Sequence, residues 1–297
     1  MIFTLTLNPA FDIYYNAENL VPGSEIRVKK IGRYLGGKGI NVSAALSALG
    51  VKNRAFALIG EDSCDEVLSL AQKRGVNLSF ACVKGKVREN ITVIEKSGRE
   101  TRMSTDSFEF ENKGFVNIEN QILSDIKNGD IFVFSGSIPP GEGKKAVVPM
   151  LSEIRKKGVK TVVDSKSFGI EDIEEIKPWL IKPNEEEVCT LFGDINVCAA
   201  AERLKESGCE NVLISLGENG AYFCGKDKFF VNAAKIAPKS TVGAGDSMTA
   251  GFICGFENDL SERASVRLAV AVGSAACLKA GTEPPGKEDV KKLLENL

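Results

Sequence analysis

Hydrophobic and polar positions fall along this chain in two rhythms. Residues 2–7 form an apolar and β-branched run that stops at Asn8-Pro9, which predicts a buried strand followed by a turn. Residues 54–59, 131–134, 161–164, 179–182 and 212–215 are read as further strands. The run Ile131-Phe132-Val133-Phe134 has no polar alternation, so both its faces are expected to be buried, as in a mostly parallel sheet covered by helices. Between these runs the spacing predicts helices over 40–49, stopped by Gly50, over 62–74, opened by an acidic cap and closed by Gly75, and over 144–157, 185–192 and 199–207. Residues 222–231 predict a hairpin, and the chain from Ala244 onward predicts three helices.

The second rhythm interrupts the first. Residues 26–34 interleave Arg27, Lys29, Lys30 and Arg33 with apolar positions, and residues 87–103 alternate again around a turn at Ser97-Gly98. Both read as half-exposed strands. The expected fold is therefore α/β: a doubly wound, mostly parallel sheet over residues 1–297, with a small β-sheet lid whose strands are inserted at about 13–35 and 86–105. No internal repeat, low-complexity tract or long linker interrupts it.

Composition narrows the chemistry more than the fold. The chain has 297 residues and no histidine, which excludes Ser-His-Asp and Cys-His triads, zincin helices and His-ligated metals. Proton transfer must rest on carboxylate, lysine, cysteine or tyrosine. A formal net charge of −2 argues against nucleic-acid binding. The cysteines show no C-x-x-C spacing and no signal peptide precedes them, so they are expected to be buried, reduced thiols of a cytoplasmic chain. No apolar stretch approaches the ~20 residues of a membrane helix.

Open α/β sheets bind ligands beyond the C-terminal ends of their strands, where this chain's glycine-rich stretches fall. The stretch from Gly32 to Gly39 nearly spells a P-loop, but Gly39 stands where a Ser or Thr would hold Mg2+. It reads as a loop that lets backbone N–H groups and Lys38 approach an anionic ligand, or as a simple strand-to-helix turn. Thr241-Val242-Gly243-Ala244-Gly245-Asp246-Ser247 lacks the third glycine of a dinucleotide fingerprint. Its small residues at a helix start expose N–H groups to an anion whose charge grows in a transition state, with Asp246 beside them as a candidate base. A plain N-cap aspartate has the same local sequence.

Lys182-Pro183-Asn184-Glu185-Glu186-Glu187 opens a helix after a strand. Asn184 and Glu187 are candidates to organise Mg2+ through water, or ordinary residues of a first turn. The turns at Ser215, Gly217 and Gly220, and at Ser135-Gly136-Ser137, suit a nucleotide pocket. Arg88 with Asn90, and Arg27 with Arg102, lie on the expected lid, where arginine can grip a phosphate in fork geometry and a solvated strand face reads alike.

Three motifs in order, Gly36-Gly37-Lys38-Gly39-Ile40-Asn41, Asn184-x-x-Glu187 and Gly243-Ala244-Gly245-Asp246, make the chain resemble the PfkB/ribokinase family of carbohydrate kinases over essentially its whole length. The opening from Thr4 to Asp12 and the stretch from Ser240 to Met248 resemble its phosphosugar branch. That resemblance implies ATP and Mg2+ as cofactors, Asp246 as base, and Gly243, Ala244 and Gly245 as an anion hole. It implies that Asp12, Gly37, Lys38 and Asn41 hold the sugar and that Arg88, with Asn90, lies near its phosphate; Arg102 resembles an arginine of the minor 6-phosphofructokinases, and Arg27 and Ser137 are further substrate-binding candidates. Lys182, Asn184, Ser215, Gly217, Gly220 and Thr241 are expected at the nucleotide, and Asn184 and Glu187 at the metal. A homodimer through the lid is also implied. Fructose 1-phosphate leads as substrate, ahead of tagatose 6-phosphate and of the fructose 6-phosphate used by minor 6-phosphofructokinases. Thr92 departs from the lysine many 1-phosphofructokinases carry, and Lys38 from the glycine of the minor enzymes. A non-catalytic sugar-phosphate sensor, the rival from another class, would be expected to have lost Asp246 or an anion-hole glycine.

Overall fold

A computed structural model describes residues 1–297. In chain order its strands are β1 (Ile2–Thr6), β2 (Ala10–Ala17), β3 (Val28–Gly36), β4 (Asn53–Gly60), β5 (Leu78–Val83), β6 (Arg88–Glu95), β7 (Glu100–Ser104), β8 (Ile131–Ser135), β9 (Lys160–Asp164), β10 (Leu180–Ile181), β11 (Asn211–Ser215), β12 (Ala221–Cys224) and β13 (Lys228–Val231). The helices are α1 (Lys38–Ala48), α2 (Cys64–Lys73), α3 (Asn112–Asp125), α4 (Gly143–Lys156), α5 (Ile170–Ile176), α6 (Glu185–Phe192), α7 (Val197–Glu206), α8 (Ala244–Glu257), α9 (Glu262–Cys277) and α10 (Lys287–Glu295).

The large sheet has the order β13-β12-β11-β10-β9-β8-β1-β4-β5, parallel from β11 to β5 and closed by the antiparallel pair β12 and β13. Side-chain alternation along β8 explains its wholly apolar run. Phe132 and Phe134 join Phe3, Leu5 and Phe56 in one core beneath α2 to α7, whereas Ile131 and Val133 join Ile2 and Val42 in a second core under α1, α8 and α9. The apolar run is thus split between two cores.

The smaller sheet, β3-β2-β6-β7, pairs β2 with β3 antiparallel, β2 with β6 parallel and β6 with β7 antiparallel. Val28, Ile31 and Met103 on its strands are exposed. Its seam to the core runs through Arg33, whose Nε lies 2.6 Å from Glu66 on α2 and whose Nη1 lies 2.7 Å from Glu89 on β6.

The structure departs from the sequence expectations in places. The strand expected over 179–182 contracts to Leu180–Ile181, and the edge strand β5 and the seven-residue α5 were not anticipated. All eight cysteines are free, but Cys82, Cys189 and Cys198 are exposed rather than buried. Cys82 lies on the edge strand β5, and Cys189 and Cys198 lie on the outer helices α6 and α7.

Candidate active site

The ends of β1, β8, β9, β10 and β11 converge with the N-termini of α1 and α8. Gly243, at φ 79° before the first turn of α8, takes a left-handed conformation that a side chain would strain. Helix α8 has no side-chain cap. The N–H groups of Gly243, Gly245 and Asp246 donate to no backbone carbonyl, while that of Ala244 points to the Thr241 carbonyl at 3.4 Å. The free donors therefore come from Gly243, Gly245 and Asp246, and Ala244 contributes chiefly by being small.

Asp246 is 6% exposed, and its Oδ2 accepts a 2.8 Å hydrogen bond from Asn41 Nδ2 on α1. Burial first, and then the charge of Asp164, push its pKa up to about 6 against the pull of Lys38, Asn41 and Lys182. Asp164 ends β9 between two lysines, with Lys38 Nζ at 2.8 Å and Lys182 Nζ at 3.1 Å. Burial alone would raise its pKa, but Lys182 and Lys38 hold it below the usual carboxylate range. Burial opposes the charge of Lys38, and Asp164, Asp246 and Glu187 outweigh that and push its pKa up, so Lys38 is a fixed cation. The N-terminus of α8 is also close to Lys182: a Cβ added to Gly245 would lie 3.3 Å from its Nζ.

A second network runs from the core into the lid. Asp12 on β2 accepts from Asn90 Nδ2 on β6 at 2.8 Å, Asn90 Oδ1 accepts from Arg88 Nη1 at 2.8 Å, and Arg88 Nε donates to Asn8 Oδ1 at 3.2 Å. Asn8 Nδ2 in turn donates to Ser137 Oγ at 3.1 Å. Asp12, Asn90, Arg88 and Ser137 are thereby joined in one chain of donors and acceptors. Burial raises the pKa of Asp12, partly countered by Asn90 and Arg88. The same effect lowers that of Arg88, partly countered by Asp12. Gly37, at φ 123°, opens α1 beside Thr6 and Pro9. Arg102 is exposed and paired with Glu100 at 2.9 Å. Arg27 lies on the exposed segment before β3, outside this cluster.

On the other flank Asn184 caps α6. Its Oδ1 accepts from Glu187 N at 2.8 Å, and Glu187 Oε2 accepts from Asn184 N at 3.0 Å. Glu187 Oε1 remains turned toward Lys38 at 3.5 Å. Ser215 bridges to Asn184, and Gly217 and Gly220 supply left-handed turns just beyond β11. Thr241 is exposed at the rim. No group of three or more acidic or thiol side chains forms a metal cage. One carboxylate with an amide oxygen nevertheless suits Mg2+, which is commonly held by one or two carboxylates together with substrate phosphates and water.

Sequence reasoning missed Asp164, Asn8 and Arg74. Asp164 ends β9 and Asn8 lies just beyond β1, both on the ligand side of the sheet, a position that could have flagged them. Arg74 follows α2, where a basic residue is ordinary helix chemistry.

The chain is similar to 1-phosphofructokinases. The protein from Borreliella burgdorferi is 34% identical, with 99% of this chain and 96% of that protein aligned, and that from Haemophilus influenzae is 32% identical, with 93% and 90% aligned. Phosphofructokinase-2 from Escherichia coli, solved in complex with substrates and products, superposes with a TM-score of 0.92 at 30% identity, covering 100% of this chain and 99% of that one. Ribokinase from Thermotoga maritima, 21% identical with a TM-score of 0.80, shares the fold. The family model described as pfkB family carbohydrate kinase matches residues 6–289, and the chain belongs to that family of sugar phosphotransferases.

Proposed function

We propose that this kinase moves the γ-phosphoryl group of ATP onto the free primary hydroxyl of fructose 1-phosphate, giving fructose 1,6-bisphosphate and ADP. The observation that carries the reading is Asp246: a buried carboxylate with a pKa near 6, beside unpaired helix N–H groups, in a chain that has no histidine. At neutral pH it is largely ionised and basic enough to accept the hydroxyl proton. The N–H groups of Gly243, Gly245 and Asp246 face the charge that develops on the phosphoryl oxygens, reinforced by the end of the α8 dipole.

Lys38 and Lys182, both tied to Asp164, supply positive charge for phosphate oxygens. Glu187 and Asn184 would hold Mg2+ through water, and when bound the ion would neutralise charge on the nucleotide phosphates. Asp12, Asn90 and Arg88 lie together on the lid sheet, and Arg88 reaches across to Asn8 after β1, which supports a role in gripping the sugar and its phosphate. The exposed Val28, Ile31 and Met103 support the lid as the face of a homodimer. Placement in the cytoplasm fits a metabolic kinase, and no helix is long and apolar enough to cross a membrane.

A second reading, fructose 6-phosphate as acceptor, is favoured by the fold match to Escherichia coli phosphofructokinase-2 in complex with fructose-6-phosphate, at a TM-score of 0.91 and 28% identity. An ADP-release assay against fructose 1-phosphate, fructose 6-phosphate, tagatose 6-phosphate and unphosphorylated sugars separates the readings. We expect fructose 1-phosphate to give the highest kcat/KM and Asp246→Asn to lose about 10³-fold or more in turnover with ATP binding retained. Preference for an unphosphorylated sugar would sink the proposal.

A further inference from the structure

Arg74 is used by nothing described so far, yet its guanidinium ends inside the site. Nη1 donates to the Leu35 carbonyl at 2.5 Å and to Asn41 Oδ1 at 3.0 Å, and Nη2 donates to the Thr282 carbonyl at 2.5 Å. Nε is sealed from solvent and has no partner. No carboxylate forms an ion pair with this group. Burial pushes its pKa down to about 10, countered by attraction from Asp12, Asp246 and Glu283, and it stays charged at neutral pH. A sealed cation without a salt bridge is costly unless it performs a task.

The task is legible in the donor count. Arginine can only donate, so the Asn41 atom that faces it must be the oxygen. The Asn41 nitrogen is then left for Asp246, where it donates at 2.8 Å. Without the guanidinium only the carboxylate would favour that orientation, and the amide would be held at its nitrogen alone, free to swing out of line. The same fork gathers the end of β3, the start of α1 and the loop before α10.

We propose that Arg74 is a positioning residue for phosphoryl transfer: it locks the Asn41 side chain in the one orientation that donates to Asp246, and so keeps that carboxylate aimed and ionised. The inference rests on Asp246 acting as the base. It concerns a side chain whose hydrogen-bond partners are Leu35, Asn41 and Thr282, and it acts through Asn41.

The test is the pH dependence of kcat in Arg74→Met, Arg74→Lys and Asn41→Ala, together with the double variant Arg74→Met/Asn41→Ala. The groups facing Asp246 are Lys38 on α1, Asp164 on β9, Lys182 after β10, Asn41 on α1 and Arg74 after α2. Only the last two change in these variants. A hydrogen bond donated to a carboxylate favours its charged form, so losing it raises the pKa and moves the acid limb of kcat to higher pH. The substrate phosphate also titrates near pH ~6, but it does so equally in every variant.

For Arg74→Met we expect kcat to fall about 10-fold to 100-fold, with the KM for ATP unchanged and the acid limb shifted upward. Arg74→Lys retains a donor and is expected to recover part of both effects, as is added guanidinium ion with Arg74→Met. In the Asn41→Ala background, loss of Arg74 is expected to add little. An unshifted acid limb, or full additivity with Asn41→Ala, would overturn the proposal. Should Arg74→Met fail to fold, Arg74→Lys decides by the same limb. Normal turnover of Asp246→Asn would instead refute the base assignment, a separate failure.

Discussion

Asp246 is the residue at which activity and stability pull apart. An acid whose folded-state pKa is raised binds its proton more tightly when folded, so its contribution to stability is lost as pH rises from the usual carboxylate value of ~4 to about 6. At neutral pH the ionised side chain therefore weakens the fold. Asp246→Asn, expected to lose most of its turnover, is also expected to unfold at a higher temperature than the parent at pH 7.5 and to lose that advantage at pH 4. Calorimetry at the two pH values checks the sign. Asp164 behaves in the opposite way, because its carboxylate compensates two lysines. Asp164→Asn leaves Lys182, with a side chain 4% exposed, as an uncompensated buried charge. A loss of about 3 kcal/mol or more in urea denaturation is expected, accompanied by a lower acid limb of kcat because the neighbouring negative charge that disfavours ionisation of Asp246 is gone. Asp164 ends a strand recognisable in the sequence, but only the fold places Lys38 from α1 and Lys182 from just after β10 on either side of it.

At the scale of elements, the site is as rigid as the helices behind it. Helix α8 crosses α9 so closely that a Cβ on Gly251 would lie 2.8 Å from Ala269 Cα and 3.0 Å from the Val272 side chain. Gly251→Leu is expected to cost about 1–3 kcal/mol by overpacking, and to lower kcat because α8 carries Asp246 at its first turn. Thermal unfolding and turnover measured on the same preparation test both effects. A loss of stability with unchanged kcat would show that the first turn is held by other contacts. Long apolar runs made β8, β9 and β11 readable in advance, and Gly50 and Gly75 marked the ends of α1 and α2. By contrast, α5 spans only Ile170–Ile176, too short for a helical period to declare itself, and β5 is an edge strand whose exposure blurs its apolar pattern. Arg74 could not be read at all, since its role exists only where the end of α2 meets Leu35, Asn41 and Thr282.

At the scale of the whole molecule, the exposed face of the lid is the surface proposed to form a dimer. A monomer would leave Val28, Ile31 and Met103 in water. Ile31→Glu is expected to shift sedimentation toward the monomer and to raise the KM for the sugar phosphate, and an unchanged mass would remove the lid from the interface. Solution behaviour follows from a simpler feature. The chain has no histidine, the one side chain whose ordinary pKa lies between about pH 5 and 8, so few side chains change state between about pH 6.5 and 8. Burial also pushes the thiols of Cys64 and Cys209 up to about 12. The surface charge should therefore be nearly constant across that window, and electrophoretic mobility flat. Mild acidification would leave solubility and non-specific adhesion almost untouched, so a change in rate over that range reports on the site and its substrate rather than on the protein as a colloid.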